Sequence, residues 1–386
     1  MLGVLLYLYL PIRSAQSPVF NWGEVHRSFD KFMYHVTGAQ YQVWMFSGDD
    51  TIWKNNLKQF FELIPSQITW VGLLFSIYGI YVLYRGDKVI FSVLFSTAML
   101  CVFYSMNYSI HDIDSYFVTA YVVLTILVAI SAKHLINHQN KLLYLFAFIP
   151  LFNLYSNYSE CDLSEDHTVS EYYRLVTESA QKDAIIISAQ WDFWVSAFWY
   201  KDKIENERKD ITLIEKELLR RTWYVNSIEK LYPQIYNSSK NEIQLYQEQL
   251  EKFESEQPYN PRTIQSRFVS MLNSFIDNNY GKRPIYLTFD ILQSEPELAK
   301  NYIKIPEGFL IRLSKSEESI STDYSVFDIS KLAKSVNSKD DELHEMSKNL
   351  ALVNLNAALN YSKYTNDEAN FSLISNKIAE FSNKNE

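Results

Sequence analysis

The sequence predicts an α-helical polytopic membrane region followed by a soluble α/β domain with a small, parallel sheet and a helical C-terminal tail. Three observations carry that expectation. Long apolar runs dominate the chain up to residue 156, at lengths near the roughly 20 residues that a bilayer-crossing helix needs. Beyond that point charge becomes dense and the apolar residues are interrupted. In this second part short runs rich in Ile, Val and Leu alternate with helical periodicity, the pattern of strands and crossover helices on a parallel sheet. The division expected is residues 1–156 as the transmembrane region and residues 157–386 as an extracytoplasmic domain.

Composition agrees with two unlike parts. The chain has 386 residues, 47% hydrophobic and 16% aromatic, with a net charge of −9. The mean hydropathy of −0.17 is an average over both parts. The acidic balance argues against nucleic acid as a partner. Of the two cysteines, Cys101 lies inside an apolar run and Cys161 just after one. Neither a disulfide framework nor a cysteine-based metal site follows. No phosphate-binding glycine loop, dinucleotide fingerprint, H-E-x-x-H or G-x-S-x-G motif is present, and neither a cofactor nor a metal is expected.

Residues 1–10 are apolar but too short to span a bilayer, and they lack the basic start of a signal peptide. They read as the last half of a membrane helix, with the chain as the C-terminal piece of a longer protein. Residues 49–66 are polar and aromatic and read as a helix near the membrane surface. Four spans follow at about 68–84, 89–106, 116–132 and 142–155. Arg85 and Lys88 fall in one short loop, Lys133 and Lys141 in the next but one. Positive residues stay cytoplasmic, so residues 11–67, 107–115 and everything after about 157 are expected on the outer side. For a multi-pass protein of a bacterial inner membrane this is the periplasm or cell exterior. Arg13, Arg27 and three lysines in the first outer loop depart from the rule.

In the second part, strands are expected at 183–188, 210–215, 284–289 and 309–313. Helices are expected at 169–180, 190–200, 217–232, 240–256 and 261–279. Residues 338–386 read as a helical hairpin packed on the sheet.

The chemistry is expected around residues 7–41. An apolar run stops at Pro11, whose fixed φ and missing N–H suit a helix terminus. Arg13 follows, a permanent planar cation that suits a phosphate or carboxylate. Asn21, Trp22, His35, Gln40 and Tyr41 add hydrogen-bonding groups with aromatic faces. The outer loop with His111, Asp112 and Asp114 is the second candidate region. Structural readings stand beside these. Tyr and Trp gather at membrane interfaces for solvation alone, and arginines at helix ends snorkel. An Asp at the edge of a span caps the helix. Trp191, Trp194 and Trp199 at helical spacing read as core.

Several motifs occur in order: L-P-I-R-S at 10–14, N-W-G at 21–23, H-V-T-G-A-Q-Y at 35–41, A-I-I-I-S at 184–188, W-Y at 199–200, D-I-T-L-I at 210–214, L-L-R-R-T-W-Y at 218–224 and R-P-I-Y at 283–286. In this order they resemble the protein O-mannosyltransferase-like membrane family, glycosyltransferase family 117. The resemblance covers nearly the whole chain but only the C-terminal portion of the family. It implies a polytopic GT-C type enzyme that transfers a sugar, mannose in animal relatives, from a polyprenyl-phosphate donor to an extracytoplasmic protein or glycan acceptor. The reaction implied is a single displacement. A carboxylate deprotonates the acceptor hydroxyl while cations and hydrogen-bond donors stabilise the leaving phosphate. The resemblance places the catalytic acid in a first outer loop, which would lie upstream of Met1. It makes Arg13 the candidate for the donor phosphate, and Asn21, Trp22, His35, Gln40, Tyr41, Asp112 and Asp114 candidates for sugar or acceptor. One departure stands out. Where family members often have Gly-Asp after the first strand, this chain has Ala189-Gln190-Trp191-Asp192. The alternative reading is a non-enzymatic membrane scaffold or lipid-binding module with an envelope-facing interaction domain. A transporter would want intramembrane charges or broken helices, and the spans show almost none.

Overall fold

The structure is a computed structural model that describes residues 5–383, apart from 19, 48–49, 111, 138–141, 165, 256, 321, 330–331 and 333–340. The chain divides into two compact units: Ser28–Leu163, and Met1–Arg27 together with Ser164–Glu386.

The first unit is helical. Its longest element, Asp50–Arg85, is two helices joined at a break. Pro65 supplies no N–H for the helical ladder, and Thr69 sits at φ +61°. The Thr69 hydroxyl accepts from the Gly72 N–H at 3.0 Å and caps the apolar half. The polar-aromatic half before the break is helical, as expected for residues 49–66. Lys88–Met106 follows, its first turn capped by the Asp87 carboxylate, which accepts from the Val89 and Ile90 N–H groups at 3.0 Å each. Val118–Ile136 packs against the apolar half of Asp50–Arg85 at Gly79. A Cβ added there would meet the Leu127 carbonyl oxygen at 2.2 Å, a small-residue contact that lets two backbones touch. Beside it the Ser131 hydroxyl donates to the Phe75 carbonyl at 2.5 Å.

Among the described residues three helices are long and apolar enough to cross a membrane: Thr51–Arg85, Lys88–Met106 and Ile113–Ile136. The fourth expected span forms a helix, Leu142–Cys161, but is not one of these. Pro150, Asn153 and Asn157 interrupt its apolar character. Its asparagines have a local task. Asn153 Nδ2 donates to the Gln67 carbonyl at 2.8 Å and Asn157 Nδ2 to the Ser66 carbonyl at 3.0 Å. These are carbonyls freed at the Pro65–Thr69 break, and in an apolar setting they need such partners. Lys141, used above for orientation, lies outside the described residues.

The second unit holds a five-stranded sheet of order β2-β1-β3-β5-β4, with β1 Ile185–Ser188, β2 Thr212–Glu215, β3 Ile285–Leu287, β4 Ile303–Glu307 and β5 Leu310–Ser314. The sheet is mixed, not parallel throughout. β1 pairs in parallel with β2 and β3, while β5 is antiparallel to β3 and to β4. The β4–β5 hairpin is the reason: without a visible β4, the run at 309–313 reads as one more parallel strand. Lys304 and Pro306 hide the strand pattern of β4, and Pro306 is tolerated because β4 is the sheet's edge. A two-residue turn joins β4 to β5, with Gly308 at φ +62°. A Cβ at Gly308 would also meet the Ser179 hydroxyl at 2.1 Å.

The helices of this unit fall close to expectation: Thr168–Ser179, Thr222–Leu231, Lys240–Glu254 and Pro261–Asp277. The aromatic stretch after β1 is not one regular helix. It runs as a π turn over Trp191–Val195, a short helix Ser196–Tyr200 and a second π turn Lys201–Glu205. The tail forms two helices, Asp341–Tyr364 and Glu368–Asn383. Their Leu355, Ala358, Ile374 and Phe381 are buried in the core around the sheet.

The sequence reading put residues 1–27 with the apolar part; the structure groups Met1–Arg27 with the sheet. Aromatic packing is the reason. The Phe20 ring lies 4.3 Å from Trp199, and Trp22 lies 4.9 Å from Trp223 and 5.9 Å from Trp191.

Candidate functional site

The helical unit carries a cleft built from two segments far apart in sequence. The helix Phe29–Val36 starts where the Ser28 hydroxyl accepts from the Lys31 N–H at 3.1 Å. It ends at Gly38, whose φ of +62° turns the chain into the 3-10 helix Ala39–Trp44. Met45 then bridges to Tyr108 in antiparallel register. The Phe46 N–H donates to the Asn107 carbonyl at 2.9 Å, and the Ser109 N–H to the Trp44 carbonyl at 3.0 Å. Asn56 fixes this junction from behind. Its buried amide donates to the carbonyls of Tyr108 at 3.0 Å, Met106 at 3.3 Å and Ser105 at 3.4 Å.

The result is a cleft of about 400 Å³ walled by Tyr41, Tyr104, Tyr108 and Tyr116, with Thr37 and Gln42 at its polar side. Tyr108 is buried, with ring centroids 5.3 Å from Tyr116 and 5.8 Å from Tyr104. Burial, reinforced by Tyr116 and Tyr104, pushes its hydroxyl up to about 12. It therefore stays a neutral donor throughout the physiological range. Among the described residues no charged side chain lines the cleft. Aromatic faces with neutral hydroxyl and amide groups suit an uncharged, polyhydroxylated ring.

Of the residues singled out in the sequence, Tyr41 lines this cleft. His35 sits in the last turn of the helix before it, and Gln40 in the 3-10 turn. Asp112 and Asp114 are exposed at the start of the turn that carries Tyr116. The Asp114 carboxylate accepts from the Ser115 N–H at 3.0 Å, while Asp112 stands at the N-cap of the turn without a side-chain cap bond. His111 lies outside the described residues. Among those described, no three His, Cys, Asp or Glu residues form a group that would hold a metal ion.

Arg13, Asn21 and Trp22 belong to the other unit. Arg13 is exposed and donates from Nη1 to Gln16 Oε1 at 2.7 Å. Among the described residues it pairs with no carboxylate. Asn21 folds back on its own segment: its Oδ1 accepts from the buried Ser14 hydroxyl at 2.6 Å and its Nδ2 donates to the Ser14 carbonyl at 3.0 Å. Trp22 is seated between Trp191 and Trp223. Glu24 is buried at φ +45°, ion-paired to Arg27 at 2.9 Å, and accepts from Asn226 Nδ2 at 3.3 Å. The N-W-G motif thus anchors its segment to the sheet unit.

In that unit the carboxyl ends of β1 and β3 mark the point where strand order reverses, a common ligand site in open α/β sheets. Here side chains fill it. The Tyr172 hydroxyl donates to Gln190 Oε1 at 3.0 Å, Gln190 Nε2 to Asp290 Oδ1 at 2.7 Å, and the Thr288 hydroxyl to the Ser188 hydroxyl at 3.1 Å. Burial raises the Asp290 carboxyl above its ordinary range. Gln190 stands in the turn where the resemblance leads one to expect Gly-Asp, and it closes this network.

Sequence reasoning missed Tyr104, Tyr108, Gln42 and Asn56. The available signal was the polar Asn107-Tyr108-Ser109 triplet ending an apolar run.

No family model matches the chain, and no solved structure matches it. The chain is similar to a curated mouse (Mus musculus) protein, Protein O-mannosyl-transferase TMEM260, at 22% identity over 260 residues. The match covers 61% of this chain and 37% of the mouse protein. The chain is therefore a distant relative of a protein O-mannosyltransferase.

Proposed function

We propose that the chain serves a membrane glycosyltransferase that moves a sugar, mannose in the first instance, from a polyprenyl-phosphate donor to an extracytoplasmic protein or glycan. The observation that carries this reading is the relationship to a protein O-mannosyltransferase in a chain with three membrane-length helices. The tyrosine-lined cleft supports it, because a neutral aromatic lining suits a glycosyl ring and not a nucleotide or phosphate. In this proposal the cleft takes a sugar ring, with Tyr41 on its wall, and His35 and Gln40 serve as substrate contacts in the same segment. Within the other unit, Arg13 is proposed as the residue for the donor phosphate. Asp112 and Asp114, exposed beside Tyr116, face the acceptor. The sheet unit lies on the outer side and positions the acceptor.

The test uses the protein as its native locus encodes it. Membranes are supplied with radiolabelled polyprenyl-phosphate mannose, and transfer to protein is compared with membranes from a deletion strain. Transfer lost on deletion, and lost in Arg13→Ala at unchanged membrane abundance, is the expected result. Equal transfer in wild-type and deletion membranes would overturn the reading and leave the scaffold as the better one.

A further inference from the structure

Within the segment 29–46, Phe29, Met33, Val43, Trp44 and Phe46 are exposed, while Phe32 and Val36 are half-buried. At 100° per residue, Phe29, Phe32, Met33 and Val36 share one face of the helix Phe29–Val36, while Asp30, Lys31 and His35 lie on the other. Phe29 is 73% exposed. The 3-10 turn that follows continues the pattern: Val43 is 66% and Phe46 61% exposed, and Trp44 is exposed too. An isolated exposed apolar residue is ordinary; a contiguous run of this kind marks an interaction surface.

Its depth relative to the spans identifies the occupant. The hydrogen bonds of Trp44 and Phe46 with Ser109 and Asn107 pin the turn just past Met106, where one membrane-length helix ends, and just before Ile113, where the next begins. The Phe46 ring also lies 6.0 Å from Phe103, which is exposed on the outer face of Lys88–Met106. The apolar surface of the turn is thus continuous with a membrane-length helix at the level of its end. Trp44, Tyr41, Tyr104 and Tyr116 gather at that level, as aromatic residues do at a bilayer boundary.

We propose that residues 29–46 form an in-plane membrane element, its Phe29, Val43 and Phe46 faces embedded at the headgroup–acyl boundary of a phospholipid bilayer. The inference rests on this placement and not on the sugar-transfer reading. It means that the tyrosine-lined cleft, whose walls this element shares, opens at headgroup level.

The test is electron paramagnetic resonance of the full chain in phosphatidylcholine nanodiscs. Cys101 and Cys161 are first replaced, and a nitroxide is then attached at Phe29→Cys, Val43→Cys, Phe46→Cys or Lys31→Cys. Labels at 29, 43 and 46 should collide several-fold more with oxygen than with a water-soluble nickel chelate, and the label at 31 should show the reverse. Chelate-dominated collisions at 29, 43 and 46 would overturn the proposal. So would immobilised labels that neither reagent reaches, the signature of a second copy or other protein on this face. An independent measurement needs no substitution: a phospholipid with a photoreactive group near its glycerol should label peptides within 29–46 of the wild-type chain. Labelling confined to the three membrane-length helices would contradict the inference.

Discussion

The amide nitrogen of Asn56 lies 3.0 Å from the carbonyl oxygen of Tyr108, across 52 residues of sequence. One side chain closes three backbone carbonyls at the end of a membrane-length helix and so holds the deepest wall of the tyrosine-lined cleft. Asn56→Leu leaves those acceptors unpaired in a buried place, which typically costs about 1–3 kcal/mol. Thermal unfolding in detergent should show a lower midpoint, with faster amide exchange at Ser109 and Phe46. An unchanged midpoint and exchange would remove Asn56 from this role.

Gly79 is required by contact and not by conformation. A methyl group there would lie 2.2 Å from the Leu127 carbonyl oxygen, a fixed backbone atom, so Gly79→Ala must push two helices apart. We expect a loss of about 1–3 kcal/mol, the usual range for overpacking. Gly72→Ala is the control. Its added Cβ would meet Ile68 and Thr69 at ordinary contact distances of 3.5 Å, so its unfolding midpoint should match or slightly exceed wild type.

Trp22 tests the anchoring role of the N-W-G motif. Trp22→Ala should free residues 14–27 for limited proteolysis, whereas Trp22→Phe retains much of the ring packing and resists. Equal resistance of the two variants would show that the Trp191–Trp223 seat does not hold the segment.

Glu215 gives the sheet unit a pH dependence. Burial holds its carboxyl at about 7, above its ordinary range, although its oxygen accepts from the Leu218 N–H. The sign follows from the raised value. The stabilisation is fully present below the unfolded-state pKa, near 4.5, and is lost as pH rises through about 7. The whole effect is on the order of 3 kcal/mol at about 1.4 kcal/mol per unit. Chemical denaturation should therefore show stability falling between pH 5 and 8, and Glu215→Gln, which stays neutral, should flatten that slope. A slope identical in both proteins would assign the pH dependence to other groups.

Much of the fold was legible because it rests on patterns that composition reveals. β1, β2 and β3 are short apolar runs between helical stretches, and the helix Lys88–Met106 is apolar almost throughout. β4 was not legible, since Lys304 and Pro306 break its alternation and only pairing with β5 makes it a strand. The aromatic stretch after β1 carries helical spacing, yet it runs as a π turn that buries Trp194, a short helix that buries Phe198 and a second π turn. The site was less legible still. Tyr41 stands in a motif, but Tyr104, Tyr108 and Tyr116 join it through long-range backbone contacts, the Met45–Tyr108 bridge and the bonds of Trp44 and Phe46 with Ser109 and Asn107, which spacing does not reveal. Asn21 and Trp22 looked like binding groups because polar and aromatic residues serve ligands and packing alike; in the structure they bond to Ser14 and stack on Trp191 and Trp223.

The proposed role of the tyrosine-lined cleft is to receive the glycosyl group of a lipid-linked donor. The most direct measurement is photoaffinity labelling of native membranes with a polyprenyl-phosphate mannose bearing a diazirine on the sugar. The expected result is saturable labelling of peptides from 37–45 and 104–116, displaced by unmodified donor and lost in a Tyr41→Ala, Tyr116→Ala double variant of normal abundance. Labelling that does not saturate, or that is undiminished in that variant, would contradict it.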